Sequence, residues 1–141
     1  MSVVRIWLHI VWSTKNREPF FETAVQRKLV FEHIRAYGHS KDINVDFVNG
    51  HIDHVHVLLA LRATETVADV VKLLKGESSH WLKQQGIVPA YFAWQSDYFA
   101  VSVSESVVNR VRDYMKNQET HHLAKSFAEE YDDFVNRINK A

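Results

Sequence analysis

The run that most restricts the fold of this chain is His51-Ile-Asp-His-Val-His56, together with the stretch Val57-Leu-Leu-Ala-Leu61 that continues it. Apolar β-formers dominate it and Asn49-Gly50 just before it is a turn signal, so it reads as a strand entered from a hairpin. Side chains alternate along a strand, which puts His54, His56 and Leu58 on one face and Val55, Val57 and Leu59 on the other. Two imidazoles spaced this way stand about 6–7 Å apart at their backbones, close enough for both rings to lean onto one metal ion. The same pair also suits two half-buried structural imidazoles bonded to backbone or to a carboxylate. With nine histidines in the chain, chance pairings are expected. A divalent ion at such a pair needs at least one more protein ligand.

At 141 residues the chain is long enough for one domain with a real core. It contains no cysteine. That excludes a disulfide framework, a thiolate nucleophile and any Cys-based zinc site, and it suits a reducing compartment. The opening Met-Ser-Val-Val-Arg lacks the layout of a signal peptide, and no apolar run approaches the length of a membrane span. A soluble, cytoplasmic protein with no membrane partner is expected. Net charge is zero, which argues against a strong non-specific nucleic-acid binder. The last residues hold Glu129, Glu130, Asp132 and Asp133 against Arg137 and Lys140, so the rest of the chain is slightly basic. Any anionic partner must therefore be held locally.

Read in order, Val3 to Ser13 alternates as a strand, with Ile6, Leu8, Ile10 and Trp12 opposite Arg5, Trp7, His9 and Val11. Lys15-Asn-Arg-Glu-Pro19 breaks it. Phe21 to Tyr37 has helical spacing and Gly38 stands where a C-terminal cap belongs. Ile43 to Val48 is a second strand, and Asn49-Gly50 turns it into the histidine strand. Thr66 is an N-cap candidate for a helix whose buried stripe is Val67, Val70, Val71, Leu74, Ser78, Trp81 and Leu82, closed by Gly86. Phe99, Val101 and Val103 alternate as the last strand. Ser104-Glu-Ser opens a final helix through Val107, Val108, Val111, Tyr114, Met115 and Gln118. The order strand–helix–strand–strand–helix–strand–helix is the α+β, ferredoxin-like split βαβ arrangement, an antiparallel sheet with helices on one face plus a C-terminal helix bearing the tyrosine. Residues 1–125 are expected as the single domain and 126–141 as an acidic helical tail.

The final helix offers what the histidine pair lacks. Tyr114 and Gln118 are four residues apart and project from one helix face. If that helix crosses the histidine face, the Gln118 carbonyl oxygen can be a third ligand and Tyr114 stands beside the ion. Tyr114 also follows Val107 and Val111 in the apolar stripe, as a core tyrosine with its hydroxyl at the edge would.

Asp53-His-Val-His-Val-Leu-Leu59 on a strand, followed by Tyr114-Met-Lys-Asn-Gln118 and His121-His122, resembles the HUH single-tyrosine transposases of small bacterial insertion sequences and their relatives that act at repetitive palindromes. The likeness extends to Trp12-Ser-Thr-Lys-Asn-Arg17, Leu74-Lys-Gly-Glu-Ser-Ser79 and Trp94-Gln95, and so covers nearly residues 3 to 122. It implies that His54, His56 and Gln118 bind a divalent ion and that Tyr114 is the nucleophile. It also implies single-stranded DNA substrates with a hairpin, and a homodimer. Lys15, Arg17, Lys72 and Lys75 become candidate contacts to the DNA backbone, though each also suits a solvated surface.

The implied chemistry agrees with elementary acidity. A phenol of pKa near 10 is ionised in only about one molecule in a thousand at neutral pH, so an adjacent Mg2+ or Mn2+ that stabilises the phenolate has an evident use. Imidazole ligands favour manganese on softness. Attack by Tyr114 would leave a 5′-phosphotyrosine and a 3′-hydroxyl, storing the linkage for rejoining. Two other readings remain: a metal-dependent hydrolase in which Tyr114 is a bystander, and a non-catalytic hairpin-DNA-binding module that keeps the site as a relic.

Overall fold

The structure, a computed structural model, describes residues 1–117 and, singly, the helical positions Glu129 and Asn136. The elements are β1 (Ile6–Ser13), α1 (Ala24–Ser40), β2 (Asn44–Gly50), β3 (His54–Leu61), α2 (Val67–Gln84), β4 (Phe99–Val103) and α3 (Val108–Lys116), with short 3-10 turns at Lys15–Arg17 and Glu105–Val107. Every strand pairing is antiparallel and the sheet order is β2-β3-β1-β4. This is the expected split βαβ arrangement. The 125/126 boundary, Gln118, His121, His122 and the tail apart from its two helical positions lie outside the described residues.

Local chemistry explains where the helices begin. Thr23 caps α1 by accepting from the Gln26 amide at 3.1 Å, while the Gln26 side chain reaches back to the Thr23 amide at 3.0 Å. This capping box delays the helix to Ala24 rather than Phe21. Thr66 caps α2 by accepting from the Asp69 amide, and Gly86 takes the left-handed conformation just past the helix end.

Gly38 does not cap α1, which continues to Ser40. A Cβ on it would come within 2.5 Å of Val45 Cγ2, so its bare backbone lets α1 lie close against β2. Asn49 and Gly50 belong to strand β2 rather than to a turn, and the reversal falls at residues 51–53. A Cβ on Gly50 would stand 2.2 Å from the His54 carbonyl oxygen. The glycine therefore permits a close crossing immediately before the histidine strand.

The sheet is covered on both faces by different means. Leu8, Ile10 and Trp12 of β1 and Val55, Val57 and Leu59 of β3 form the main core with Val30, Phe31 and Ile34 of α1 and Val70, Val71, Leu74 and Leu82 of α2. On the other face a small cluster joins Leu58 to Val108, Val111 and Met115 of α3, with Trp7, Phe47 and Val103 at its margin. The tyrosine helix thus lies on the histidine side of its own sheet.

Candidate metal and nucleophile site

His54 and His56 follow the reversal at residues 51–53 and point, with Leu58, to the α3 face. Both are essentially fully buried, at 0% and 2% exposure. Their ring centroids are 5.1 Å apart and the rings meet edge to face. Each is held through its Nδ1 atom. His54 Nδ1 is 2.7 Å from Asp53 Oδ1 and His56 Nδ1 is 2.9 Å from His9 Nε2. With Nδ1 facing the Asp53 carboxylate, Nε2 is the ring nitrogen of His54 turned away from it. The Nε2 atom of His56 is buried and has no hydrogen-bond partner among the described residues.

Asp53 is itself anchored. Arg17 donates from Nε to Asp53 Oδ2 at 3.3 Å and from its terminal nitrogen to Oδ1 at 3.4 Å. Burial acts to raise the Asp53 pKa, but the hydrogen bond and charge of His54, together with Arg17, outweigh it and hold the carboxyl below its ordinary value. The Asp53 carbonyl accepts from the Thr14 amide at 2.8 Å, locking this corner to the end of β1. Asn16 and Arg17 adopt left-handed backbone conformations, φ 59° and 54°, which bulky side chains rarely take. That turn carries Arg17 back to Asp53.

Both histidines on the His9–His56 axis are kept neutral. Burial lowers His9 from 6.5 to about 4. Burial also drives His56 well below the usual imidazole value, with His54, His9 and Arg17 adding to the effect. Neutral rings are what metal ligation requires.

Helix α3 is fastened above these residues. Arg112 makes two charged hydrogen bonds to Asp46, at 2.8 and 3.1 Å, where a bulge interrupts the β2–β3 register between Val45 and Phe47. Asn49 Nδ2 donates to the Met115 carbonyl at 2.6 Å, satisfying one of the carbonyls left over at the helix end. Asn49 pairs directly with His56 across the sheet. The residue after Tyr114 is therefore tied to the strand position opposite one of the two imidazoles. Tyr114 is half-buried and packs against the Leu58–Val111–Met115 cluster. The described helix ends at Lys116 with Asn117 as its cap, and the proposed third ligand Gln118 lies outside the described residues. Among the described residues, no three His, Cys, Asp or Glu side chains converge on a metal-sized point.

The four basic residues divide into two pairs. Lys15 and Lys72 are exposed. Arg17 is engaged with Asp53. Lys75, expected on a solvated face, turns its ammonium toward the carbonyls of Gln95, Ser96 and Asp97, the last two at 3.2 and 3.5 Å. Desolvation lowers its pKa, partly opposed by Asp97. The loop it holds is joined to the end of β1 through the Gln95 amide and the Ser13 carbonyl at 2.8 Å. Trp94 anchors the same loop by donating to the buried Ser78 hydroxyl at 3.0 Å.

Sequence reasoning did not single out His9 as a site residue. Its only signal was strand alternation, which places it on the same face of β1 as Val11, the register partner of His56.

A four-stranded antiparallel sheet that buries a pair of imidazoles beneath a helix bearing a tyrosine is the arrangement expected of the single-tyrosine transposases that the sequence resembles. Residues 2–118 match the family described as Transposase IS200 like, and the chain belongs to that family. Among its relatives, ISDra2 transposase TnpA of Deinococcus radiodurans is 26% identical over 125 residues, spanning 82% of this chain and 86% of that protein. A crystal structure of a transposase from Deinococcus radiodurans R1 superposes with a TM-score of 0.61 at 25% identity, over 84% of this chain and 94% of the other. A REP-associated tyrosine transposase solved in complex with a REP hairpin shares the fold, with a TM-score of 0.54 at 12% identity over 82% and 67% of the two chains. Among the described residues, no helix is long and apolar enough to cross a membrane.

Proposed function

We propose that this transposase-family chain nicks and rejoins single-stranded DNA through attack of Tyr114 on a phosphodiester, at a divalent-ion site formed by His54, His56 and Gln118. The observation that carries the reading is the buried, unbonded Nε2 of His56 beside His54, beneath the helix that carries Tyr114. A buried ring nitrogen with no hydrogen-bond partner is costly in a folded core unless a ligand completes it. A bound Mg2+ or Mn2+ would supply Lewis-acid charge to the scissile phosphate.

The protein's own groups do the rest. The Tyr114 oxygen loses its proton and bonds to phosphorus as the bond from phosphorus to the 3′ oxygen breaks. The products are a 5′-phosphotyrosine and a DNA end whose 3′ oxygen takes up a proton. Reversal by the same or another 3′-hydroxyl reseals a strand without a nucleotide triphosphate. Of the four basic candidates, Lys15 and Lys72 are exposed and so available to DNA phosphates. The substrate is read as a hairpin-bearing single strand, because a structural neighbour is bound to a REP hairpin. The active species is read as a cytoplasmic homodimer.

The test is incubation of the protein with single-stranded hairpin DNA and manganese, followed by denaturing electrophoresis. A covalent protein–DNA adduct, absent in Tyr114→Phe and absent with a chelator, is the expected result. Cleaved DNA without adduct, unaffected by Tyr114→Phe, would instead make the chain a hydrolase. Binding without cleavage would make it a DNA-binding module.

A further inference from the structure

We infer that His9 is a positioning residue of the ion site, fixing by its hydrogen bond to His56 the one tautomer of that histidine able to ligate a metal. The inference rests on the reading of His54 and His56 as ligands, and deepens it.

The geometry leaves two ways to place one proton. His9 Nε2 and His56 Nδ1 are 2.9 Å apart, and the rings are near-parallel, with centroids 5.1 Å apart and planes 23° from one another. A neutral imidazole has one N–H and one lone pair, so in this bond one ring donates and the other accepts. If His9 donates, His56 must carry its proton on Nε2, and that N–H is buried with no acceptor among the described residues. The alternative places a proton on the equally buried His9 Nδ1, so the number of buried donors does not choose between the two. If His56 donates from Nδ1, its Nε2 presents a lone pair instead. Only that arrangement lets a cation take the pair, and ligation therefore selects it. His9 is therefore the acceptor, with its own proton on Nδ1.

The two ligands are then oriented by different chemistry. Asp53 holds His54 with a carboxylate backed by Arg17, whereas His56 is held by an uncharged ring. A carboxylate partner makes a histidine more basic and a stronger ligand than a neutral partner does. Backing only one of the two with an anion fixes both rings while leaving more of the ion's charge for phosphate. The strand register makes this possible. β1 and β3 pair Val11 with His56 and His9 with Leu58, so His9 approaches His56 on the diagonal of the same face.

Long-range proton–nitrogen NMR on histidine-labelled wild-type protein, without metal, reads the tautomer directly. His56 protonated on Nδ1 and His9 bare on Nε2 are expected, and His56 protonated on Nε2 overturns the inference. Manganese titration then compares wild type with His9→Phe, which has no acceptor, and His9→Gln, whose amide oxygen can replace it. His9→Phe should bind manganese about 10-fold or more weakly and His9→Gln should recover much of the loss. Equal affinity in a folded His9→Phe protein overturns the inference, as does a His9→Gln protein no better than His9→Phe. A wild-type protein that has the expected tautomer but binds no manganese overturns the ion-site reading itself, and with it the purpose assigned to His9.

Discussion

Val55, Val57 and Leu59 alternate with His54, His56 and Leu58 along the same eight-residue strand, yet the two sets meet opposite surroundings. Toward α1 and α2 the strand meets a broad apolar core to which every other element of the sheet contributes. Toward α3 the apolar cluster is small, and next to it stand three buried histidines, a carboxylate and the unbonded Nε2 of His56. Burial alone therefore does not distinguish a stabilising residue from a functional one here. The buried atoms do. The first face is apolar apart from groups such as the Trp12 indole N–H and the Ser78 hydroxyl, whereas the second gathers imidazole nitrogens that one cation would complete on the reading proposed above. A site of this kind is held at the expense of stability, since the same positions filled with apolar side chains would pack without polar cost.

Four variants put this contrast to the test. The largest effect on stability should come from the packed face. Leu59→Ala should lower unfolding free energy by about 2–5 kcal/mol in denaturant titration. Gly50→Ala comes next, because its added Cβ meets the His54 carbonyl and the Val55 Cα. It should cost about 1–3 kcal/mol by overpacking, and by displacing the start of β3 it should also weaken manganese binding. Asp46→Ala removes the ion pair that fastens Arg112 and α3 to β2. The expected loss is about 0.5–1 kcal/mol in the same titration, with faster amide hydrogen exchange confined to α3. The smallest effect belongs to the double variant His9→Phe with His56→Leu. Removing both partners of a buried polar pair should leave metal-free stability nearly unchanged or slightly raised, while abolishing manganese binding. A large destabilisation there would mean that the second face, too, is built for stability.

Much of this arrangement was legible in the alternation of apolar residues. The order of elements, the separation of His54 and His56 from Val55, Val57 and Leu59, and the buried stripe of α2 follow from periods of two and 3.6 residues, which act locally. The misplaced features depended on contacts between distant residues. Gly38 and Gly50 looked like punctuation because glycine serves both a turn and a close approach, and only the packing of Val45 and the His54 carbonyl separates the two roles. Lys75 looked solvated because the carbonyls that hold it lie twenty and more residues along the chain. A lone histidine in an alternating strand carries no mark of its partner, so His9 acquires meaning only from the β1–β3 register. Asp53 and Arg17 stood within the recognised motifs, but their mutual pairing required the left-handed turn at Asn16 and Arg17.

On the proposed reading, His54 and His56 hold one cation beneath the tyrosine helix. Electron spin-echo measurements on manganese added to protein carrying nitrogen-15 histidine test it most directly. Modulation from two imidazole nitrogens is expected, reduced to one in His54→Ala and likewise in His56→Ala. Manganese that binds with no imidazole modulation, or whose modulation survives both substitutions together, would contradict it.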